Sequence, residues 1–447
     1  MTDAPPAEPP APATTPSEAP GGSSGSQDAS DATSTGGAHV GPTLAEIEAA
    51  AELLRDVAVL TPLEESRWLS KIAGGPVYLK AENLQRAGSF KIRGAYVRMA
   101  RLSPEERARG VVAASAGNHA QGVALAAQML GITAVVYMPH GAPIVKERAT
   151  RGYGAEVRFH GTTVDEALVQ ARAWSDETGA VLVHPFDHED IVVGQATCGL
   201  EILEQCPEAR TIVVPTGGGG LLAGIAAGVK PQRPDIRVVG VQAAGAAAYP
   251  PSLEHGSPQA LSSMATMADG IAIGRPGDVP FAAVLEYVDD LVTVDEESLS
   301  QALLLLIERA KLVVEPAGAA AVAAVLENPA RFETPMVVVL SGGNVDPILL
   351  MNVIRHGMAT SGRYLALAVR IPDRPGGLAK LLGDLAAVQA NVLDVVHQRT
   401  SSHLHIGEVE VALQLETRGP EHAEQVRTHL RGAGYPVTEE SSAAQAE

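Results

Sequence analysis

The 447-residue chain is long enough for two or three domains, and its apolar content of 46% is that of a globular protein. Its net charge of −19 argues against a surface for nucleic acid or anionic membrane. Cys198 and Cys206 form neither a CxxC pair nor a disulfide framework, which points to a reducing, cytoplasmic setting.

Residues 1–42 are mostly Ala, Pro, Ser, Thr, Gly and acidic residues, with no Lys or Arg and almost nothing to bury. They read as a disordered acidic tail, without the basic and apolar regions of a secretory signal or the arginines of a transit peptide. Order is expected from Thr43, which makes a capping box with Glu46 for a helix running towards Asp56. A strand at Val77–Ala81 follows, then a helix that opens near Lys91, with Ser89 available as its cap.

Strands and helices then alternate. Strands are expected at Val111–Ser115, Thr133–Met138, Ala155–Phe159 and Val181–His184, with helices at Asn118–Leu130, Ile144–Tyr153 and Thr163–Thr178 between them. The apolar run Val123–Met138 is interrupted by Gln128, Gly131 and Thr133, so it reads as a helix end, a turn and a buried strand, not a membrane span. A second series has strands at Thr211–Val214, Arg237–Gln242 and Met336–Leu340, and helices at Leu221–Val229, Glu296–Lys311, Pro316–Leu326 and Pro347–Arg355. Near-continuous apolar strands separated by amphipathic helices imply βαβ units and parallel sheets. Two such lobes leave a cleft between them, where ligands usually sit.

The last stretch changes style. Tyr364–Ile371 is a strand, a helix runs over Leu378–Gln389, and Val392–Arg399 and Ile406–Glu416 are two more strands. The second of these alternates, with Val409, Val411, Leu413 and Leu415 on one face. A helix at Pro420–Arg431 and a short end strand complete a βαββαβ unit at 363–438, and 439–447 read as a second disordered tail.

Four stretches carry chemistry. In Ser89-Phe90-Lys91-Ile92-Arg93-Gly94-Ala95, apolar neighbours suit a partly desolvated Lys91 amine that forms a Schiff base with a carbonyl cofactor; the plain alternative is a capped helix start with an exposed Lys and Arg. Four glycines, Gly217, Gly218, Gly219 and Gly220, lie between a strand and a helix and present bare N–H groups to an anion, best a monoester phosphate. No Gly-Lys-Ser/Thr follows, so this is not a Walker sequence, and it does not match the dinucleotide fingerprint either.

Ser115-Ala116-Gly117-Asn118-His119 offers N–H groups and a hydroxyl to a carboxylate, with Asn118 placed for an aromatic hydroxyl and His119 either a base or a packing residue. Ser341-Gly342-Gly343-Asn344 puts a hydroxyl at the carboxyl end of a strand, where it can meet a ring nitrogen, unless it is only a turn. A Schiff-base lysine, a phosphate cradle, a carboxylate loop and a ring-nitrogen partner together describe pyridoxal phosphate with an amino-acid substrate.

Those stretches, with Ala268-Asp269-Gly270-Ile271, resemble the threonine dehydratases (threonine ammonia-lyases), which are tryptophan-synthase-β-like, fold type II pyridoxal phosphate enzymes. The resemblance covers about Thr43 to Gly357 and implies a two-lobed catalytic domain at 43–358, with a small lobe at about 92–200 inserted. It implies Lys91 as the Schiff-base lysine beside Phe90, Asn118 on the cofactor hydroxyl, Gly217 to Gly220 on the phosphate, Ser341 on the ring nitrogen, and Ser115, Ala116, Gly117, Asn118 and His119 on the substrate carboxylate. It further implies β-elimination of water from threonine or serine, with a racemase on the same scaffold as the nearest rival. The expected setting is amino-acid metabolism, isoleucine biosynthesis included.

The final unit resembles an ACT regulatory domain, with Asp373-Arg374-Pro375-Gly376-Gly377-Leu378 as its opening loop; this implies an amino-acid effector and a homo-oligomer, dimer or tetramer. In the similar serine racemases a Glu after the strand that follows the glycine loop helps bind a divalent cation. Here that strand ends Val241-Gln242-Ala243-Ala244 with no acid before Glu254, so no metal is expected there.

Overall fold

The computed structural model describes residues 41–399 and 404–439. The tails expected at 1–42 and 439–447 lie outside them, apart from residues 41, 42 and 439. Strands occur in chain order as β1 Leu63–Glu65, β2 Val77–Lys80, β3 Val111–Ala114, β4 Ala134–Met138, β5 Glu156–Phe159, β6 Val181–Leu182 and β7 Thr211–Pro215. They continue as β8 Arg237–Ala243, β9 Asp290–Val294, β10 Met336–Val339, β11 Tyr364–Pro372, β12 Asn391–Gln398, β13 Glu408–Glu416 and β14 Val437–Glu439.

Three sheets result. The first has the order β1-β2-β10-β7-β8-β9, parallel except for the edge strand β1. The second, β5-β4-β3-β6, is wholly parallel and is built from chain inserted between β2 and β7. Their central strands are buried along their whole length, as the unbroken apolar runs require. The third, β12-β13-β11-β14, is antiparallel and forms the C-terminal βαββαβ unit. In β13, Val409, Val411, Leu413 and Leu415 are buried against Leu381, Leu385, Val426 and Leu430 of its two helices, as the alternation implies.

Local expectations hold where short-range physics decides. Thr43 and Glu46 cap the helix Leu44–Leu54 reciprocally, Glu46 accepting from the Thr43 N–H at 2.8 Å. The run through Gly131 is the helix Asn118–Leu130, a left-handed residue at φ +67°, and the buried strand β4. Among the described residues no helix is long and apolar enough to cross a membrane.

Other elements follow from packing. The helix Glu189–Gln205 does not announce itself, because its middle, Ile191 to Gly199, is buried all round and carries no polar stripe. It lies between the helix Lys91–Ala100 and the helix Gly220–Val229. At the first crossing a Cβ on Gly194 would stand 2.6 Å from the Gly94 Cα, so both glycines serve close approach. The stretch after β8, irregular by pattern, holds the helices Tyr249–His255 and Asp278–Tyr287 and the strand β9. The long helix expected at Glu296–Lys311 stays α-helical only to Leu305; Leu306–Ala310 widens into a π-turn that ends at Lys311 with φ +60°.

A buried ionic cluster joins these parts. Arg93 binds both oxygens of Glu82, at 2.8 and 2.9 Å, and both oxygens of Glu201, at 2.6 and 2.9 Å. Lys80 reaches Glu201 at 2.6 Å, Gln205 at 2.9 Å and the Thr61 carbonyl at 3.0 Å, while the Thr61 hydroxyl donates to Glu82 at 2.7 Å. Burial by itself would raise the Glu82 carboxyl, but the Arg93 guanidinium, with Lys80 and Thr61, holds it below its usual range.

Removing one partner of such a cluster strands a buried charge, so Arg93→Met is expected to cost about 3–5 kcal/mol, read as a fall in the urea midpoint. Because the folded Glu82 pKa is depressed, its contribution is full above the ordinary carboxyl value of 4.5 and fades as pH falls through the lower folded value. Urea midpoints of the native chain should therefore drop below that pH, and more steeply than those of the Arg93→Met variant.

Candidate active site

The chemistry-bearing stretches meet at the carboxyl ends of the parallel strands. Lys91 is the first residue of its helix, and Phe90, not Ser89, stands at the cap position. Ser89 is extended at φ −165°, forms a bridge with Gly342, and buries a hydroxyl with no partner among the described residues. The expected cap is thus a backbone pin: the Phe90 N–H donates to the Ser341 carbonyl at 3.2 Å, which fixes Lys91 beside the end of β10. The Lys91 Nζ donates to the Pro185 carbonyl at 2.8 Å and sits 5.1 Å from the Phe90 ring centre. The side chain keeps some surface open to the cleft, but the protein around its amine pushes the pKa down to about 8, against the pull of the Glu315 carboxylate.

The glycine loop follows β7. Tyr249 and the Gly277 N–H donate to the Gly218 carbonyl, at 3.4 and 3.1 Å, which holds that carbonyl outward. Among the described residues the N–H groups of Gly217, Gly218 and Gly219 have no hydrogen-bond partner, and they stand at the start of the ten-residue helix Gly220–Val229. The cradle tolerates no side chain. A Cβ on Gly218 would lie 2.5 Å from the Phe186 ring, and one on Gly219, at φ +99°, 1.8 Å from the Tyr249 hydroxyl.

After β3, the Ser115 hydroxyl accepts from the Gly117 N–H at 3.1 Å and closes the turn through Ala116. The Asn118 amide is held from both sides: its Nδ2 donates to Glu315 at 2.5 Å and its Oδ1 accepts from Asn344 at 2.9 Å. His119 is buried with Nε2 on the Val183 carbonyl at 2.8 Å. Burial, then the nearby Lys91 charge, pushes its pKa down to about 3, so the ring is neutral and serves packing rather than base chemistry. The Ser341 side chain is buried at the end of β10, and among the described residues its hydroxyl has no partner. Gln242, in the strand where no cation site is expected, accepts from the Tyr249 N–H at 2.9 Å.

Three polar residues escaped the sequence reading as individuals. Glu315 opens the apolar helix Pro316–Glu327; its Oε2 is buried without a partner, and burial pushes its pKa up to about 7 although Lys146, Asn118 and Lys91 oppose the rise. Lys146 pairs with Asp269 at 2.7 Å across the two lobes. A lone Glu ahead of Pro316 and an unbroken run of small apolar residues was the one available signal for Glu315. Two surface cavities, of about 360 Å³ near Leu253 and about 430 Å³ near Trp68, lie away from Lys91 and its partners.

A half-buried amine with a lowered pKa, a glycine cradle with free N–H groups and an unpartnered hydroxyl at a strand end define a cofactor enzyme of the α/β class. The pyridoxal-phosphate-dependent enzyme family matches residues 54–342, and the chain belongs to it. An L-threonine ammonia-lyase of Thermotoga maritima is 46% identical over 88% of this chain and 98% of that relative. The processed form of threonine deaminase isoform 2 from Solanum lycopersicum superposes with a TM-score of 0.68 at 36% identity, covering 72% of this chain and 90% of that one. A serine racemase from Dictyostelium discoideum superposes with a TM-score of 0.64 at 34% identity, over 68% and 99%.

The residues present fit the cofactor: a phosphate suits the free N–H groups of Gly217 to Gly219, and an aldehyde suits an amine near pKa 8. Gly219→Ala is expected to weaken pyridoxal phosphate binding at least about tenfold in a fluorescence titration, since the left-handed backbone and the Tyr249 hydroxyl both oppose a Cβ. In cofactor-free protein, the rate of Schiff-base formation with pyridoxal phosphate should rise with pH and level off above about 8, where the amine is neutral. A midpoint near that of an ordinary lysine would overturn the assignment.

Proposed function

We propose that the chain deaminates L-threonine, and L-serine as a second substrate, by β-elimination of water, giving 2-oxobutanoate or pyruvate and ammonia. The observation that carries this reading is the Lys91 residue pinned through Phe90 to Ser341, its amine on the carbonyl of Pro185, next to the Phe186 that lines the glycine loop, in a chain 46% identical to an L-threonine ammonia-lyase.

When bound, pyridoxal phosphate supplies a covalent hold on the substrate amine and an electron sink for Cα. Gly217 to Gly220 would hold its phosphate, Asn118 its hydroxyl and Ser341 its ring nitrogen. Glu315 and Asn344 keep Asn118 in place from either side. The N–H groups of Ala116, Asn118 and His119, which make no hydrogen bond among the described residues, would receive the substrate carboxylate at the helix start. Lys91 would take the Cα proton, with an amine already tuned towards neutral pH. Ser341 offers a neutral hydroxyl, which does not fix a proton on the ring nitrogen as a carboxylate would, and so favours prompt elimination over transamination.

The C-terminal unit is read as an ACT-like regulatory domain that takes an amino-acid effector and pairs in a homo-oligomer, in a cytoplasmic enzyme. Its link to the catalytic lobes supports this: Arg363, just before β11, pairs with Glu308 in the π-turn, and Glu315 follows seven residues later. Racemisation on the same scaffold is the second reading, favoured by the likeness to a serine racemase.

Purified protein with pyridoxal phosphate should form 2-oxobutanoate from L-threonine and return unreacted substrate as L-threonine; D-allothreonine, the product of inversion at Cα, in the recovered pool would favour the racemase. Lys91→Ala should lose at least about 100-fold in turnover together with the yellow absorbance of the lysine-bound cofactor. Serine and threonine should differ by roughly 10–200-fold in kcat/KM, the range one methyl group commands.

A further inference from the structure

The small lobe places one buried cation against the loop that receives the carboxylate. Lys146 lies on the helix Ile144–Gly152, with its side chain only 8% exposed. Its Nζ is 3.5 Å from where a Cβ on Gly117 would stand, so it borders the Ser115–His119 turn directly. A buried ammonium needs an anion close by. Its partner, Asp269 at 2.7 Å, belongs to the other lobe and has a side chain 53% exposed.

That asymmetry decides which group moves. Asp269 rotates into water at little cost, whereas Lys146 cannot leave its site without stranding a charge. The other acid near Lys146 is Glu315, whose Oε1 is engaged by Asn118 and whose carboxyl is pushed up to about 7 by burial, so it is a poor substitute anion. An arriving α-carboxylate brings the same charge as Asp269 and meets free N–H groups at the start of the Asn118 helix as well.

We propose that Lys146 positions the substrate by binding its carboxylate, and that Asp269 is a placeholder which the carboxylate displaces. The proposal rests on the amino-acid reading of the site. It makes Lys146 a positioning residue: the ion pair ties the lobes together before substrate binds, and the exchange moves that tie onto the substrate.

The test uses the full-length, cofactor-loaded protein with two probes: L-threonine, and butyrate, a carboxylate with no amine to displace Lys91. Lys146→Met should raise KM for L-threonine about 10–100-fold with kcat changed less than about threefold, and should weaken butyrate binding, followed by the cofactor's visible absorbance, to a similar degree. Lys146→Arg should recover most of the loss. Asp269→Asn should act in the opposite direction and tighten butyrate about 3–10-fold, because no competing carboxylate remains. A merely structural ion pair would move both variants the same way. Unchanged KM and butyrate binding in Lys146→Met, or weaker butyrate binding in Asp269→Asn, would overturn the proposal. A wild-type protein that leaves L-threonine untouched would sink the lyase reading alone, and opposite butyrate shifts in the two variants would still uphold the carboxylate assignment.

Discussion

The arrangement depends on a neutral cluster of two cations and two anions sealed between the lobes. Arg93, Glu82, Lys80 and Glu201 come from the Lys91 helix, the turn after β2, β2 itself and the helix Glu189–Gln205. Each charge is matched and each is hydrogen-bonded, which is the condition under which buried ions are tolerated. Arg93 lies two residues beyond Lys91, little more than half a turn along the same helix, so the group that anchors the helix lies close to the amine that needs orienting. The cluster is worth little as net stability against an apolar replacement. What it supplies is a single register for the four elements that contribute to it.

Next to that saturated cluster the catalytic groups are left deliberately incomplete in their bonding. The glycine N–H groups, the Ser341 hydroxyl and the Glu315 Oε2 all lack partners among the described residues. Unpaired buried polar groups are costly, and they concentrate where a ligand will supply the missing bonds. The backbone pins around Ser89, Phe90 and Gly342 are the support that keeps such a shell from collapsing on itself.

Much of this was legible in the residues. The βαβ alternation, the capping box at Thr43 and the C-terminal βαββαβ unit rest on periodicities and short-range caps, and most of these elements follow to within a residue or two; the helix expected at Pro347–Arg355 runs on to Thr360 and the one at Glu296–Lys311 stops at Leu305. The four motifs were legible as well, because glycine loops and a lysine between apolar neighbours have few other uses in combination. What was not legible has a common cause. The helix Glu189–Gln205 is buried on all sides, so it has no amphipathic signal; the π-turn at Leu306 arises from packing; and Ser89 reads as a cap in any local window, although its backbone is committed to Gly342.

The sequence by itself determined the composition of the site and the order of its elements, since propensity, periodicity and turn chemistry act over a few residues. Only the tertiary structure decided the pairings. Asn118 with Glu315, Arg93 with Glu201 and Lys146 with Asp269 are separated by 197, 108 and 123 positions. Local propensity carries no information over such distances. Those contacts depend on tertiary packing, as do the pKa values of Lys91, His119 and Glu315, each of which is shifted first by burial.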